Sequence, residues 1–201
     1  MTMKLHHAHA SPFARKVVAC AIARGIDDRI ELVPVNPHVS PEALLRHNPL
    51  SKVPCLVLED GTAVYDSPVI CEYLDSVGEA NGLFPSSGTP RWVRISVMHA
   101  LADGIMDAAV ARRMRAGKPV DETRAAFLDR QKAAVARGLA RLESDPPKGL
   151  ADIGAIAVAC ALGYLDFRFA DEPWRGAHPA LAAWFTEVSK LPPMARTVPV
   201  G

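Results

Sequence analysis

A chain of 201 residues has room for one large domain or two small ones and excludes a large assembly of modules. Lys plus Arg at 23 against Asp plus Glu at 22 leave a formal charge of +1, which excludes the global basic field of a protein that binds nucleic acid mainly by neutralising phosphates. With 49% hydrophobic and 22% charged residues, the composition is that of a globular protein with a sizeable core.

Met3–His7 reads as a short strand, and Ser11-Pro12 then opens a helix, because Ser caps and Pro is favoured where its missing N–H costs nothing. Ala14, Val17, Val18, Ala21 and Ile22 share one stripe of that helix, and Gly25 can stop it. A second strand is expected over 29–35 and a short helix over 41–47. Segments 55–58 and 62–65 flank Asp60-Gly61, a dipeptide suited to a tight hairpin turn. Ser67-Pro68 repeats the cap-plus-proline start, with Val69, Ile70, Tyr73, Leu74 and Val77 as the next stripe, ending near Gly78.

Residues 79–90 turn to Gly, Pro, Ser and Asn without periodicity and read as a linker between a unit over 1–78 and another over 91–201. Beyond it, helices are expected over 91–116, 121–142, 153–169 and 179–190. The third is the most apolar and is expected at the centre of the second unit.

The longest apolar run, 154–165, falls short of the roughly 20 residues that span a bilayer, and no basic segment followed by a hydrophobic stretch opens the chain. Cys20, Cys55, Cys71 and Cys160 are widely separated and sit among apolar neighbours, the pattern of reduced core thiols. A cytoplasmic protein is the expectation, with neither a membrane nor a nucleic acid as partner.

The order βαβαββα is that of a thioredoxin-like domain with a mixed four-stranded sheet, whose reactive position is the N-terminus of the first helix. A dithiol oxidoreductase would carry Cys-Pro-x-Cys there, whereas this chain has Ser11-Pro12-Phe13-Ala14, so disulfide exchange by the protein's own thiols is excluded at that site. What remains is a hydroxyl beside free N–H groups and the positive end of a helix dipole, a setting that favours an anion such as the thiolate of a bound thiol. In such domains the proline of Val53-Pro54 is cis, which turns the main chain of Val53 outward to pair with an extended peptide-like ligand. Asp66-Ser67 offers a carboxylate for an ammonium group and a hydroxyl with helix N–H groups for a carboxylate, together an amino-acid head group.

These features in this order resemble the N-terminal domain of the glutathione S-transferases, and the likeness covers nearly the whole chain. Ser11-Pro12-Phe13-Ala14-Arg15-Lys16-Val17 is similar to the catalytic-serine segment, Asn48-Pro49-Leu50-Ser51-Lys52-Val53-Pro54 to the loop before the cis-proline, and Tyr65-Asp66-Ser67-Pro68 to the γ-glutamyl-binding segment. The stretches 100–107 and 159–168 resemble a bacterial subgroup of the family. The resemblance implies a serine-type member with an all-helical C-terminal domain. Ser11 would hold the glutathione sulfur, Val53 the cysteinyl main chain, Asp66 with Ser67 the γ-glutamyl end and Lys52 the glycine carboxylate, with Phe13 and Pro54 as further glutathione-binding positions. Asp103 is implied as an acidic group reaching the glutathione of a second subunit in a homodimer. One departure is visible: the central C-terminal helix carries Asp152 at its cap but Ala155 where the family has an Asp.

The activity implied is detoxifying transfer of glutathione, as cosubstrate and without a metal, to an electrophilic small molecule. Glutathione-dependent isomerisation or reduction, and a non-catalytic regulatory protein on the same scaffold, are the alternatives. Met106, Ala109 and Arg113 are the candidate acceptor-pocket residues, while Met98, Met114 and Trp92 read as core or dimer contacts. Arg112, Arg113, Arg115 and Lys118 form the densest basic cluster and read as a solvated helix end, the alternative being that one arginine reaches the cleft between domains and binds an acidic electrophile. His7 and His9 would share a strand face but lack a third metal ligand, so packed or exposed histidines are expected.

Overall fold

The computed structural model describes residues 2–117, 119 and 121–200. Strands β1 (Met3–His7), β2 (Ile30–Pro34), β3 (Cys55–Val57) and β4 (Ala63–Val64) form one sheet in the order β2-β1-β3-β4. β1 runs parallel to β2 with Met3 opposite Ile30 and antiparallel to β3 with Leu5 opposite Leu56, so the sheet is mixed, and β3 and β4 close the hairpin at Asp60-Gly61. Asp60 Oδ1 accepts from Thr62 N–H at 2.8 Å and Gly61 takes φ +85°, as the turn requires.

Helix α1 (Pro12–Ala23) leaves the end of β1, and α2 (Glu42–Leu45) and α3 (Ser67–Val77) complete the order read from the sequence. The helical half holds α4 (Pro90–Arg113), α5 (Glu122–Ser144), α6 (Ile153–Arg168) and α7 (Pro179–Val188), followed by α8 (Pro192–Ala195). The short α8 was not expected: four residues opened by two prolines carry no periodicity to read. Every residue of α6 from Ile153 to Leu165 is buried, which places it at the centre as its composition demands. Two glycines allow its close contacts. A β-carbon at Gly154 would stand 3.0 Å from the Ile95 carbonyl oxygen of α4, and one at Gly163 would collide with Arg15 Nη1 of α1.

That contact shows why the single stripe expected on α1 is incomplete. The helix lies between the sheet and the helical half, so Arg15, Lys16 and Ala19 are buried as well as Ala14 and Val17, while Val18 and Ile22 are half-buried. The non-periodic segment 79–90 is held at its start: Arg24 donates to the Asp75 and Gly78 carbonyls at 3.0 and 2.6 Å, and Asp75 carboxylate oxygens accept from Leu83 and Phe84 N–H at 2.7 and 3.1 Å. All four cysteines are free and buried. No described helix is long and apolar enough to cross a membrane.

Candidate functional site

The sheet domain meets α4 and α6 at a cleft of about 680 Å³, and the first turn of α1 opens onto it. Ser11 stands at the N-cap with an extended backbone, and its Oγ accepts from Ala14 N–H at 3.2 Å. The serine oxygen thus accepts one bond, and its own O–H proton, which has no acceptor among the described residues, remains to be donated. Capping and presentation of a hydroxyl to the cleft are therefore the same arrangement, carried by one side chain.

The second wall is the loop before β3. Asn48, 1% exposed, accepts from Leu50 N–H through Oδ1 at 3.0 Å and donates from Nδ2 to the Lys52 carbonyl at 2.9 Å, which shapes the loop from within. Ser51 Oγ ties it to the Pro37 carbonyl at 3.0 Å. Lys52 and Val53 then face the cleft, and the Val53-Pro54 bond is cis, in agreement with the sequence reading. Val53 makes no main-chain hydrogen bond among the described residues, so its N–H and C=O remain available.

Asp66 and Ser67 begin α3 but are not part of the cleft lining. The expected serine cap is corrected here: Asp66 occupies the cap, Ser67 is the first helical residue and is 2% exposed, and the Asp66 carboxylate makes no capping bond. The Tyr65-Asp66 bond is also cis. Asp66 lies near enough to Asp103 and Asp107 of α4 for its negative charge to raise the pKa of both, although burial is the first cause in each case.

Asp103 is engaged within its own chain. Lys16 Nζ, fully buried, donates to Asp103 Oδ1 and Oδ2 at 2.7 and 2.8 Å and to His99 Nε2 at 2.9 Å. Burial raises the Asp103 pKa against the opposing pull of Lys16. A lysine one turn from Ser11 gave no sign in the sequence that it would be buried, since it falls off the apolar stripe.

The acceptor side requires a second correction. Met106 and Ala109 are 0% and 1% exposed and belong to the core, because Ala102, Ile105, Met106 and Ala109 form the face of α4 turned to α5 and α6. Asp107, Val110 and Met114, at three- and four-residue spacing, form the face that lines the cleft together with Arg113. Met114 is thus a cleft residue rather than a core contact, and Met98 is core. Sequence reading also missed Asp107, Tyr164 and Arg168; the helical phase of α4 would have found the first, but nothing in one sequence joins α6 to this wall. Of the basic cluster, Arg112 pairs with Glu172, Arg115 lies over the Phe127 ring at 3.9 Å, and Lys118 falls outside the described residues. His6 and His7 are buried, His7 against the ring of exposed His9 at 4.7 Å, and no group of three metal-ligating side chains occurs among the described residues.

A thioredoxin-like sheet domain joined to an all-helical domain, with a capping serine and the residue before a cis-proline facing their shared cleft, defines a two-domain class. Comparison with known proteins agrees. Residues 10–77 match the family model of the glutathione S-transferase N-terminal domain, and residues 125–187 match that of the C-terminal domain. A glutathione transferase family member from Pseudomonas fluorescens, solved with bound glutathione, is 42% identical over 100% of both chains with a TM-score of 0.91. A second structure from that organism, with bound S-(propanoic acid)-glutathione, is 42% identical over 99% of this chain and 100% of that one at a TM-score of 0.88. The uncharacterized GST-like protein YibF of Escherichia coli is 33% identical over 98% of each chain. The chain belongs to the glutathione S-transferase family.

Proposed function

We propose that the chain binds glutathione in the interdomain cleft, holds its sulfur as thiolate against Ser11, and transfers it to an electrophilic small molecule. The observation that carries this reading is the Ser11 hydroxyl, which lines the cleft, caps α1 through Ala14 N–H and keeps its O–H proton unengaged among the described residues. An unperturbed thiol, with a reference pKa of ~8.5, is only a few per cent ionised at neutral pH. An O–H donor at a helix N-terminus lowers that value by about one unit or more. Phe13, the first residue of α1 with an N–H, lines the same cleft and would offer that amide to the ligand. The available main chain of Val53, after which Pro54 turns the chain, would pair with the cysteinyl unit. Lys52 would meet the glycine carboxylate, and Asp66 with Ser67 the γ-glutamyl end. The structures of similar proteins that hold glutathione or its propanoic acid conjugate support this assignment.

Catalysis then follows from thiolate stabilisation and proximity, with no step assigned to a metal. Arg113 serves the acceptor subsite. A cytoplasmic homodimer completes the proposal, with Asp103 facing a second subunit's glutathione through what Lys16 leaves of its carboxylate. In Ser11→Ala, the pKa of bound glutathione, followed by ultraviolet thiolate absorbance, is expected to rise by about one unit. An unchanged titration would remove Ser11 from this role, and binding without any thiolate would favour the non-catalytic alternative.

A further inference from the structure

We propose that the acceptor end of the cleft selects electrophiles that carry a carboxylate on an apolar body. This rests on the transfer reading above and names the class of its second substrate. Of the three arginines at the end of α4, Arg112 pairs with Glu172 and stacks over Phe169 at 4.4 Å, and Arg115 stacks over Phe127. Arg113 alone of the three lines the cleft, and it has no carboxylate partner among the described residues. Tyr164 and Arg168, one turn apart on α6, line the same cleft, and the Arg168 guanidinium stacks over the Phe167 ring at 3.9 Å.

Burial raises the Tyr164 pKa, so the hydroxyl stays protonated. Arg113, Tyr164 and Arg168 line one cleft, and the charges of both arginines act on the Tyr164 hydroxyl. Asp107 also lines the cleft, where the Lys52 and Lys16 charges hold its carboxyl pKa down against the larger effect of burial. Val110 and Met114 supply the apolar wall between these groups and Ser11. A carboxylate held by the guanidinium groups would lay its apolar body on that wall and turn its electrophilic carbon to the thiolate.

The test compares para-chloro-meta-nitrobenzoate with its primary amide, glutathione being the nucleophile in both. The sulfur bonds to the ring carbon that carries chlorine, chloride leaves with the C–Cl electron pair, and the thiol proton passes to solvent. Each rate is divided by its uncatalysed rate, so the probes' different reactivities cancel. The protein is expected to prefer the benzoate in kcat/KM by about tenfold, the scale of a charge-assisted hydrogen bond. Arg113→Gln and Arg168→Gln are each expected to reduce that preference about fivefold, the exposed groups being partly screened. The preference is a ratio, so a uniform loss of glutathione binding leaves it unmoved. A preference near unity, or one unaltered in both variants, overturns the selection while turnover of the amide keeps transfer standing. No turnover of either probe overturns both readings.

Discussion

The Lys16–Asp103–His99 cluster is where single residues decide most. An ammonium has three donors and no acceptor, so His99 Nε2 must accept and the ring proton sits on Nδ1, leaving the histidine neutral. Burial first, and the Lys16 charge second, push the His99 pKa from 6.5 to about 3. The unfolded chain therefore takes up a proton below pH 6.5 that the native state refuses, and the contribution to stability is complete above that pH and lost as pH falls toward about 3. Burial lowers His6 and His7 in the same direction, so they add to this acid branch. In His99→Gln, the fall of the urea midpoint between pH 6.5 and about 3 is expected to be shallower than in the parent. Equal slopes in urea titrations at a series of pH values would contradict the assignment. Asp103 matters in the other sense: without it, a fully buried lysine would lose its counter-charge.

At the level of elements, α6 depends on its first turn. Asp152 Oδ1 accepts from Ala155 N–H at 2.9 Å, so the cap is made from one side only. A carboxylate at position 155 could not return the bond cheaply, because Ala155 is 1% exposed and a charge there would be desolvated. Asp152→Ala is expected to lower stability by about 1 kcal/mol, read from urea unfolding. A change indistinguishable from zero would mean that packing alone holds the helix start. The same reasoning explains a limit of the sequence reading. Elements long enough to carry a pattern between a cap, a proline or a Gly turn were legible to within one or two residues, as at α1, α3 and the hairpin, while α8, four residues opened by two prolines, was not.

For the whole molecule, α4 presents Trp92, Val93 and Val97 to the surface at 37%, 51% and 62% exposure, with Val69 of α3 at 49%. Isolated apolar residues at a surface are ordinary, but several on two consecutive helices fit the proposed symmetric interface. Sedimentation velocity is expected to show a dimer that Val97→Asp dissociates. A monomer across the micromolar range for the parent chain would refute it. The cleft is also a property of the whole: Ser11 and Lys52 come from one half and Arg113 and Tyr164 from the other.

What the amino-acid order alone determined was local or pairwise in character. Ser11 before Pro12, Val53 before Pro54 and Asp66 before Ser67 mark the joints of a βαβαββα unit, because caps, prolines and turns act over three or four residues. Tertiary structure decided which face of each helix carries chemistry. Met106 went to the core and Asp107 to the cleft through the angle at which α4 lies on α6, an angle no periodicity encodes. Lys16 became an internal cation only because α1 is enclosed by the sheet on one side and by α4 and α6 on the other, where Asp103 offers the counter-charge that makes burial tolerable.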